Sequence, residues 1–206
     1  MSHIRNIHLK LGPFTLDIPT LEILDSGITA LVGPSGSGKS TFFKVLMGIY
    51  QPVGWSWDLK GIDLAQLKVS DRRLGVVFQG DELFPHLTAE ENIKIILNAR
   101  GADASKLNRY VDKLRLNSAM KTKAAHLSGG EKQRVSLLRA LMANSRIILM
   151  DEPFSALDHF NKVEAIQLVK DMSSEFKIPI CFISHDPEDV KLLADKIIRM
   201  EHGKVT

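Results

Sequence analysis

Four continuous apolar runs along the chain predict strands that are buried on both faces, as in a parallel sheet. Each run is short and ends at a glycine or a polar residue, which favours strands over buried helices. The runs cover residues 28–32, 74–78, 147–150 and 180–183. In a parallel sheet, the residues that follow these strands would meet along one edge, where ligands bind.

Other segments alternate between apolar and polar residues, which is typical of strands with one buried face. Residues 4–11 and 14–18 show this pattern on either side of Gly12-Pro13 and predict an antiparallel hairpin. Further short strands are predicted at residues 55–59, before a turn at Lys60-Gly61, and at residues 196–200 and 204–205, around His202-Gly203.

Helical patterns lie between these strands, at residues 42–49, 128–143, 158–176 and 186–194. Between about residues 80 and 127, strand signals disappear and helical ones dominate. There, Thr88 and Glu91 have capping-box spacing ahead of a helix, and residues 106–116 predict a second, amphipathic helix. We therefore predict one α/β domain over residues 1–206. It would combine a mostly parallel sheet, an N-terminal antiparallel β subdomain and an inserted α-helical subdomain at about residues 80–127.

Composition and charge narrow the possible functions. The chain has 206 residues, 44% of them hydrophobic and 25% charged, as in an ordinary globular protein. Its formal charge of +3 is too small to indicate binding to nucleic acid or to an anionic membrane surface. Arg5 and Lys10 interrupt the N-terminal segment, and no apolar run approaches the ~18 residues of a membrane span. With Cys181 as its single cysteine, the chain is expected to be cytoplasmic and to meet a membrane only through partner subunits.

A phosphate-binding P-loop is predicted directly after the strand at residues 28–32. Glycines let such a loop turn tightly, so that successive N–H groups and the next helix N-terminus converge on one anion. Lys39 can reach the β- and γ-phosphates of a nucleotide, and Ser40 can offer its hydroxyl to Mg²⁺. The loop consists of Gly33, Pro34, Ser35, Gly36, Ser37, Gly38, Lys39, Ser40 and Thr41.

Polar residues at the ends of three other strands are expected to face the P-loop. Asp151 ends one apolar run and can hold Mg²⁺, and the adjacent Glu152 can orient or deprotonate a water that attacks the γ-phosphate. Gln79 ends another strand and suits a contact with Mg²⁺ or with that water. His185 ends a third and suits a contact with the γ-phosphate. By strand-end geometry alone, Gln79 and His185 could equally just terminate their strands.

A second glycine-rich helix N-terminus occurs at Ser128, Gly129, Gly130 and Glu131. Such a terminus can also bind an anion, yet one nucleotide already has its P-loop. The second site makes sense if it serves the nucleotide of another copy of the chain. This reasoning predicts a head-to-tail dimer with two shared ATP sites.

Taken together, these motifs resemble the nucleotide-binding subunit of an ATP-binding-cassette (ABC) transporter, from residue 7 to residue 205. The resemblance implies that Glu152 is the general base, that His185 senses the γ-phosphate and that Gln79 joins the site to the membrane subunit. It also implies a signature motif at residues 127–131 that completes the partner's site. A D-loop between the two sites would consist of Ser155, Ala156, Leu157 and Asp158.

The resemblance also sets expectations about partners and transport. ATP and Mg²⁺ would be the cofactors, and the partners would be transmembrane permease subunits and a second copy or a paralogous ATPase subunit. The chain would then be peripheral on the cytoplasmic face of the inner membrane. Residues 83–88, with Glu91 and Asn92, are similar to importer ATPases for small polar solutes and ions. A non-transport ABC ATPase that acts on DNA or ribosomes is the alternative.

Two features depart from the family pattern. The family stacks the adenine on an aromatic residue of the N-terminal strands, where this chain offers only Phe14, which is equally well explained as a core residue. Many importer ATPases also carry a C-terminal regulatory domain, whereas this chain ends shortly after its last predicted strand. We therefore expect no such domain here.

Overall fold

A computed structural model describes residues 1–78, 80 and 83–206. Its centre is a six-stranded sheet in the order β10-β9-β3-β8-β7-β6. All neighbours in this sheet are parallel except β10, which pairs antiparallel with β9. The strands are β3 (Ile28–Val32), β6 (Leu74–Val77), β7 (Ile147–Asp151), β8 (Ile180–Ile183), β9 (Lys196–Glu201) and β10 (Lys204–Val205).

A second sheet, entirely antiparallel, has the order β2-β1-β4-β5. Its strands are β1 (Ser2–Leu11), β2 (Phe14–Ile23), β4 (Ser56–Leu59) and β5 (Ile62–Asp63). This sheet confirms the predicted N-terminal antiparallel subdomain. The β2 strand runs five residues further than predicted, because Leu21 and Ile23 continue the alternation and are buried.

The helices in the described ranges are α1 (Lys39–Leu46), α2 (Ala89–Arg100), α3 (Leu107–Lys113), α4 (Gly129–Leu141), α5 (His159–Phe176) and α6 (Pro187–Leu193). Short 3₁₀ turns lie at Leu64–Gln66, Val69–Arg72 and Ala124–His126. Helices α2 and α3 belong to the predicted helical insertion, and Thr88 and Glu91 form the predicted capping box at the start of α2.

Side chains of the six-stranded sheet alternate between two hydrophobic cores, as the period of a strand requires. On one face, Leu149 and Ile183 pack with α1 and the antiparallel sheet. On the other, Met150 and Phe182 pack with α4, α5 and the helical insertion. This double coverage explains why the parallel strands are continuously apolar, and it holds their carboxyl ends in a fixed position.

The boundaries of α1 and α3 differ most from the prediction, and left-handed residues account for where both helices end. Helix α1 begins at Lys39 rather than at residue 42, because Gly38 caps it and the end of the P-loop forms its first turn. It ends early because Gly48, with φ of 80°, turns the chain back. Helix α3 ends at Lys113 rather than at residue 116, since Arg115 is left-handed with φ of 51°.

No helix in the described ranges is long and apolar enough to cross a membrane.

Candidate active site

The carboxyl ends of β3, β7 and β8 open into one cleft of about 400 Å³. Parallel pairing places Leu31 and Asp151 opposite the same residue, Ile183. The three strands therefore end side by side at one edge of the sheet. Most of the residues predicted to bind or hydrolyse the nucleotide of their own chain line this cleft. Its lining comprises Phe14, Gly33, Ser35, Gly36, Gly38, Lys39, Ser40, Thr41, Asp151, Glu152, Ile183 and His185.

Lys39 is held by other atoms of the P-loop. Its ammonium group donates hydrogen bonds to the carbonyl oxygens of Gly33, at 2.8 Å, and of Pro34, at 2.9 Å. A longer bond of 3.4 Å reaches Ser37 Oγ. Ser37 is buried and Pro34 is exposed, and neither residue lines the cleft. Phosphate oxygens would therefore have to replace the carbonyl partners of the Lys39 ammonium group.

The P-loop bends where its glycines predict, with φ of 78° at Gly36 and 103° at Gly38. Phe14 packs against this bend: a Cβ atom on Gly38 would lie 2.7 Å from Phe14 Cζ. Phe14 is half-buried, contacts the core between the two sheets and still lines the cleft. Its position is thus compatible with either of the roles that the sequence allowed.

Ser40 and Asp151 present the oxygen ligands that Mg²⁺ prefers. Burial raises the pKa of Asp151, while the neighbouring Ser40 side chain and the charge of Lys39 act in the opposite direction. A partly desolvated carboxylate beside a hydroxyl fits a bound cation, which would take its remaining ligands from phosphates and water.

Glu152 and His185 form a direct pair across the cleft. His185 Nδ1 lies 2.9 Å from Glu152 Oε1, although the His185 side chain is 76% exposed and that of Glu152 only 12%. The hydrogen bond and charge of Glu152 raise the pKa of His185. The attraction between imidazolium and carboxylate is therefore complete below the ordinary histidine pKa and is lost as the pH rises through the raised value.

A small polar network fixes the backbone on either side of His185. Ser184 Oγ donates to Asp189 Oδ2 at 2.8 Å and accepts from the backbone N–H of Asp186 at 3.0 Å. Lys162 Nζ lies 2.7 Å from Asp189 Oδ1 and also pairs with Asp186. The His185 side chain can therefore change partners while its backbone stays in place.

The signature residues lie outside the cleft. Ser128 Oγ accepts from the Glu131 N–H at 3.3 Å, and the Glu131 carboxylate accepts from the Ser128 N–H at 2.8 Å. This is the predicted capping box of α4, and the hydrogen bonds from Ser128 lower the pKa of Glu131. Of the described residues that line the cleft, none belongs to the signature motif.

The predicted D-loop lies between the turn at Glu152 and α5, and it packs against the glycines of the predicted signature motif in its own chain. Asp158 caps α5 by accepting from the Asn161 N–H at 3.0 Å. A Cβ atom on Gly130 would lie 3.5 Å from the Ala156 carbonyl oxygen. The signature motif, the D-loop and Glu152 are thus contiguous within one chain.

Gln133 is a site residue that the sequence analysis did not identify. Its Nε2 donates to the Glu152 carbonyl oxygen at 3.1 Å, and its Oε1 accepts from the Ala156 N–H at 2.8 Å. The only sequence signal is its position one helical turn after Gly130, which places both residues on the same face of α4.

Gln79, predicted as a ligand of Mg²⁺ or of the attacking water, lies outside the described residues. The strand before it, β6, ends at Val77 on the same edge of the sheet as the cleft. Its role stays a prediction.

Glu152→Gln should lower the pKa of His185 in the free protein, because the substitution removes the carboxylate that raises it. NMR titration of the His185 ring measures the change. Glu201→Gln, which alters an exposed glutamate at the end of β9, is the matched control and should leave the His185 titration unchanged. Identical titrations for Glu152→Gln and the native protein would contradict the pairing.

Comparison with known proteins places this geometry in a family. The sequence pattern of the ABC transporter family matches residues 16–155, more than half of the chain. A probable sulfate/thiosulfate import ATP-binding protein, CysA of Chlorella vulgaris, is 37% identical, with 98% of this chain and 88% of the relative covered. The molybdenum import ATP-binding protein ModC of Paramagnetospirillum magneticum is also 37% identical. The match covers 97% of this chain but only 57% of ModC.

A solved structure supports the same assignment. The chain is similar to the ATP-binding cassette MJ0796, described as a dimer in a post-hydrolysis state bound to ADP and Pi, with a TM-score of 0.82 and 29% identity. The similarity covers 100% of this chain and 96% of that one. The predicted fold class and family are confirmed: the chain belongs to the ABC transporter family, as one of its ATP-binding, ATP-hydrolysing cassettes.

Proposed function

We propose that this cassette uses ATP hydrolysis to drive the uptake of a small hydrophilic solute or ion through transmembrane permease subunits. One observation carries the proposal: a single cleft gathers the P-loop, Asp151, Glu152 and His185. These are the groups needed to bind a triphosphate, hold its metal ion and activate water.

Binding would begin with an exchange of partners at the P-loop. The N–H groups at the start of α1 would donate hydrogen bonds to phosphate oxygens, favoured by the positive end of the helix dipole. Lys39 would turn from the carbonyl oxygens of Gly33 and Pro34 to the β- and γ-phosphates. Stacking of the adenine on Phe14 remains a prediction.

Mg²⁺ would be held by Ser40 and Asp151, with Gln79 as a further predicted ligand. When bound, it would neutralise charge on the phosphates. The chain's own residues complete the chemistry. Glu152 would accept a proton from the attacking water once His185 has turned to the γ-phosphate, because their mutual bond occupies both side chains in the free protein.

A second cassette would complete each site. The N-terminus of α4, at Gly129 and Gly130, presents N–H groups that have no carbonyl partner within the helix, away from the cleft of its own chain. In a head-to-tail dimer of identical or paralogous cassettes, these groups would reach the partner's nucleotide. The dimeric state of the similar cassette MJ0796 supports this arrangement.

Import is supported by the relatives, which are named as sulfate/thiosulfate and molybdenum import subunits. The chain would then work at the cytoplasmic face of the membrane, attached through its permeases. In such a transporter, the cassette would supply the energy, while the permeases and their binding proteins would select the solute.

Glu152→Gln should reduce steady-state ATP hydrolysis at least ~100-fold, because the amide cannot accept the proton of the attacking water. Binding of ATP should persist, since Lys39 and the P-loop are unchanged. Phosphate release and nucleotide titration measure the two quantities, with Glu201→Gln as the matched control. Turnover near the native rate would remove Glu152 as the general base.

Ser128→Arg should abolish ATP-driven dimerisation, because a long cation would fill the space in which the signature motif meets the partner's phosphates. Light scattering of the Glu152→Gln background with and without MgATP measures the dimer. Ser174→Arg, on the exposed face of α5, is the matched control and should dimerise normally. An intact dimer with Ser128→Arg would argue against the shared site.

Transport and non-transport functions can be separated by co-purification. Tagged Glu152→Gln protein, isolated from solubilised native membranes with MgATP, should bring a multi-spanning membrane protein with it. Lys39→Ala, which loses the phosphate contact, controls for capture that is independent of nucleotide. DNA or ribosomal components without a membrane protein would instead support the alternative function.

A further inference from the structure

We propose that Gln133 is a positioning residue that holds Glu152 in its reactive place and links it to the signature motif of the same chain. The inference rests on the proposed role of Glu152 as general base. It adds a residue outside the phosphate-binding and metal-binding groups, and it assigns α4 a second task besides presenting the signature motif.

The carboxamide of Gln133 closes the turn that follows β7. Its N–H group bonds to the carbonyl oxygen at the start of this turn, on Glu152, at 3.1 Å. Its oxygen accepts the N–H at the end of the turn, on Ala156, at 2.8 Å. One side chain thus spans the turn, and both of its polar ends are used.

The turn needs such support because Glu152 adopts a costly backbone conformation. Its φ of 50° lies in the left-handed region, which is unfavourable for a residue with a side chain. Three further bonds hold this backbone: the Glu152 N–H donates to Ile183 O at 3.0 Å, and Ser155 donates to the Glu152 carbonyl oxygen through N at 3.3 Å and Oγ at 3.1 Å. Strain of this kind is retained where surrounding contacts enforce it.

Gln133 differs from these other contacts in the structural element to which it belongs. Ile183 belongs to the central sheet and Ser155 to the turn itself, whereas Gln133 belongs to α4. Gly130 lies one turn earlier on this helix and packs against the carbonyl oxygen of Ala156. A rigid helical segment therefore connects the signature glycines to the backbone of Glu152.

In a head-to-tail dimer, this connection has a consequence for the reaction. Each signature motif would contact the partner's nucleotide, while Glu152 acts on the nucleotide of its own chain. Engagement of the partner's ATP would then fix the N-terminus of α4 and, through Gln133, the position of the base on the opposite site. Gln133 would thereby make hydrolysis at one site depend on occupancy of the other.

Gln133→Met tests this role because methionine keeps the length and volume of the side chain but removes both hydrogen bonds. We expect kcat for ATP hydrolysis to fall about 10- to 100-fold, as for a small displacement of a catalytic group. The Kd for MgATP should stay within about twofold, since the P-loop is untouched. The pKa of His185 should fall towards its value in Glu152→Gln, because a displaced Glu152 no longer meets the ring, while Asp186 and Asp189 still face it.

Two controls separate positioning from a general loss of stability. Gln167→Met makes the same chemical change on α5, where the side chain bonds only to Asp171 among the described contacts. Ser173→Ala removes a buried hydrogen bond to the Ile178 carbonyl oxygen, at the far end of α5. Both should keep the native kcat per folded molecule and the native His185 titration.

The outcomes distinguish this inference from the function on which it rests. If Glu152→Gln is inactive but Gln133→Met matches Gln167→Met in both kcat and the His185 titration, the inference fails and the function stands. If Gln133→Met loses activity only in proportion to unfolded protein, as Ser173→Ala would, its role is structural and the inference fails. If Glu152→Gln retains turnover, the assignment of the base fails first, and the inference with it.

Discussion

Parallel pairing of three buried strands is the constraint on which the rest of the structure depends. Because β3, β8 and β7 pair in parallel, their carboxyl ends lie side by side at one edge of the sheet. The P-loop, Glu152 and His185 follow these ends directly and therefore lie close together. Burial of both sheet faces makes this register expensive to change, since a shift of one residue would move every apolar side chain to the wrong core.

That same constraint explains why much of the fold and site could be predicted from the sequence. The apolar runs define the strands, and the residue after each run is placed by topology alone, as Asp151, Glu152 and His185 illustrate. Prediction was weaker where single backbone angles decide the outcome. The early ends of α1 and α3 depend on left-handed Gly48 and Arg115, and a helical periodicity continues through both positions.

Gln133 escaped prediction for a different reason. A glutamine on an amphipathic helix has many possible partners, and its spacing does not say that a strained turn lies opposite. Only the packing of α4 against the turn after β7 identifies the contact, since both partners are backbone groups. A side chain that bonds only to backbone groups is hard to identify from a sequence pattern, whereas a phosphate-binding loop has a specific one.

The free protein satisfies its reactive groups with one another, and this bears on how ATP could act as a switch. Lys39 bonds to P-loop carbonyl oxygens, His185 to Glu152 and Ser128 to Glu131. Each of these bonds would compete with a contact to nucleotide, so a ligand can alter the site only by the difference between the old and new partners. Such an exchange leaves each of these groups with a partner before and after the ligand binds.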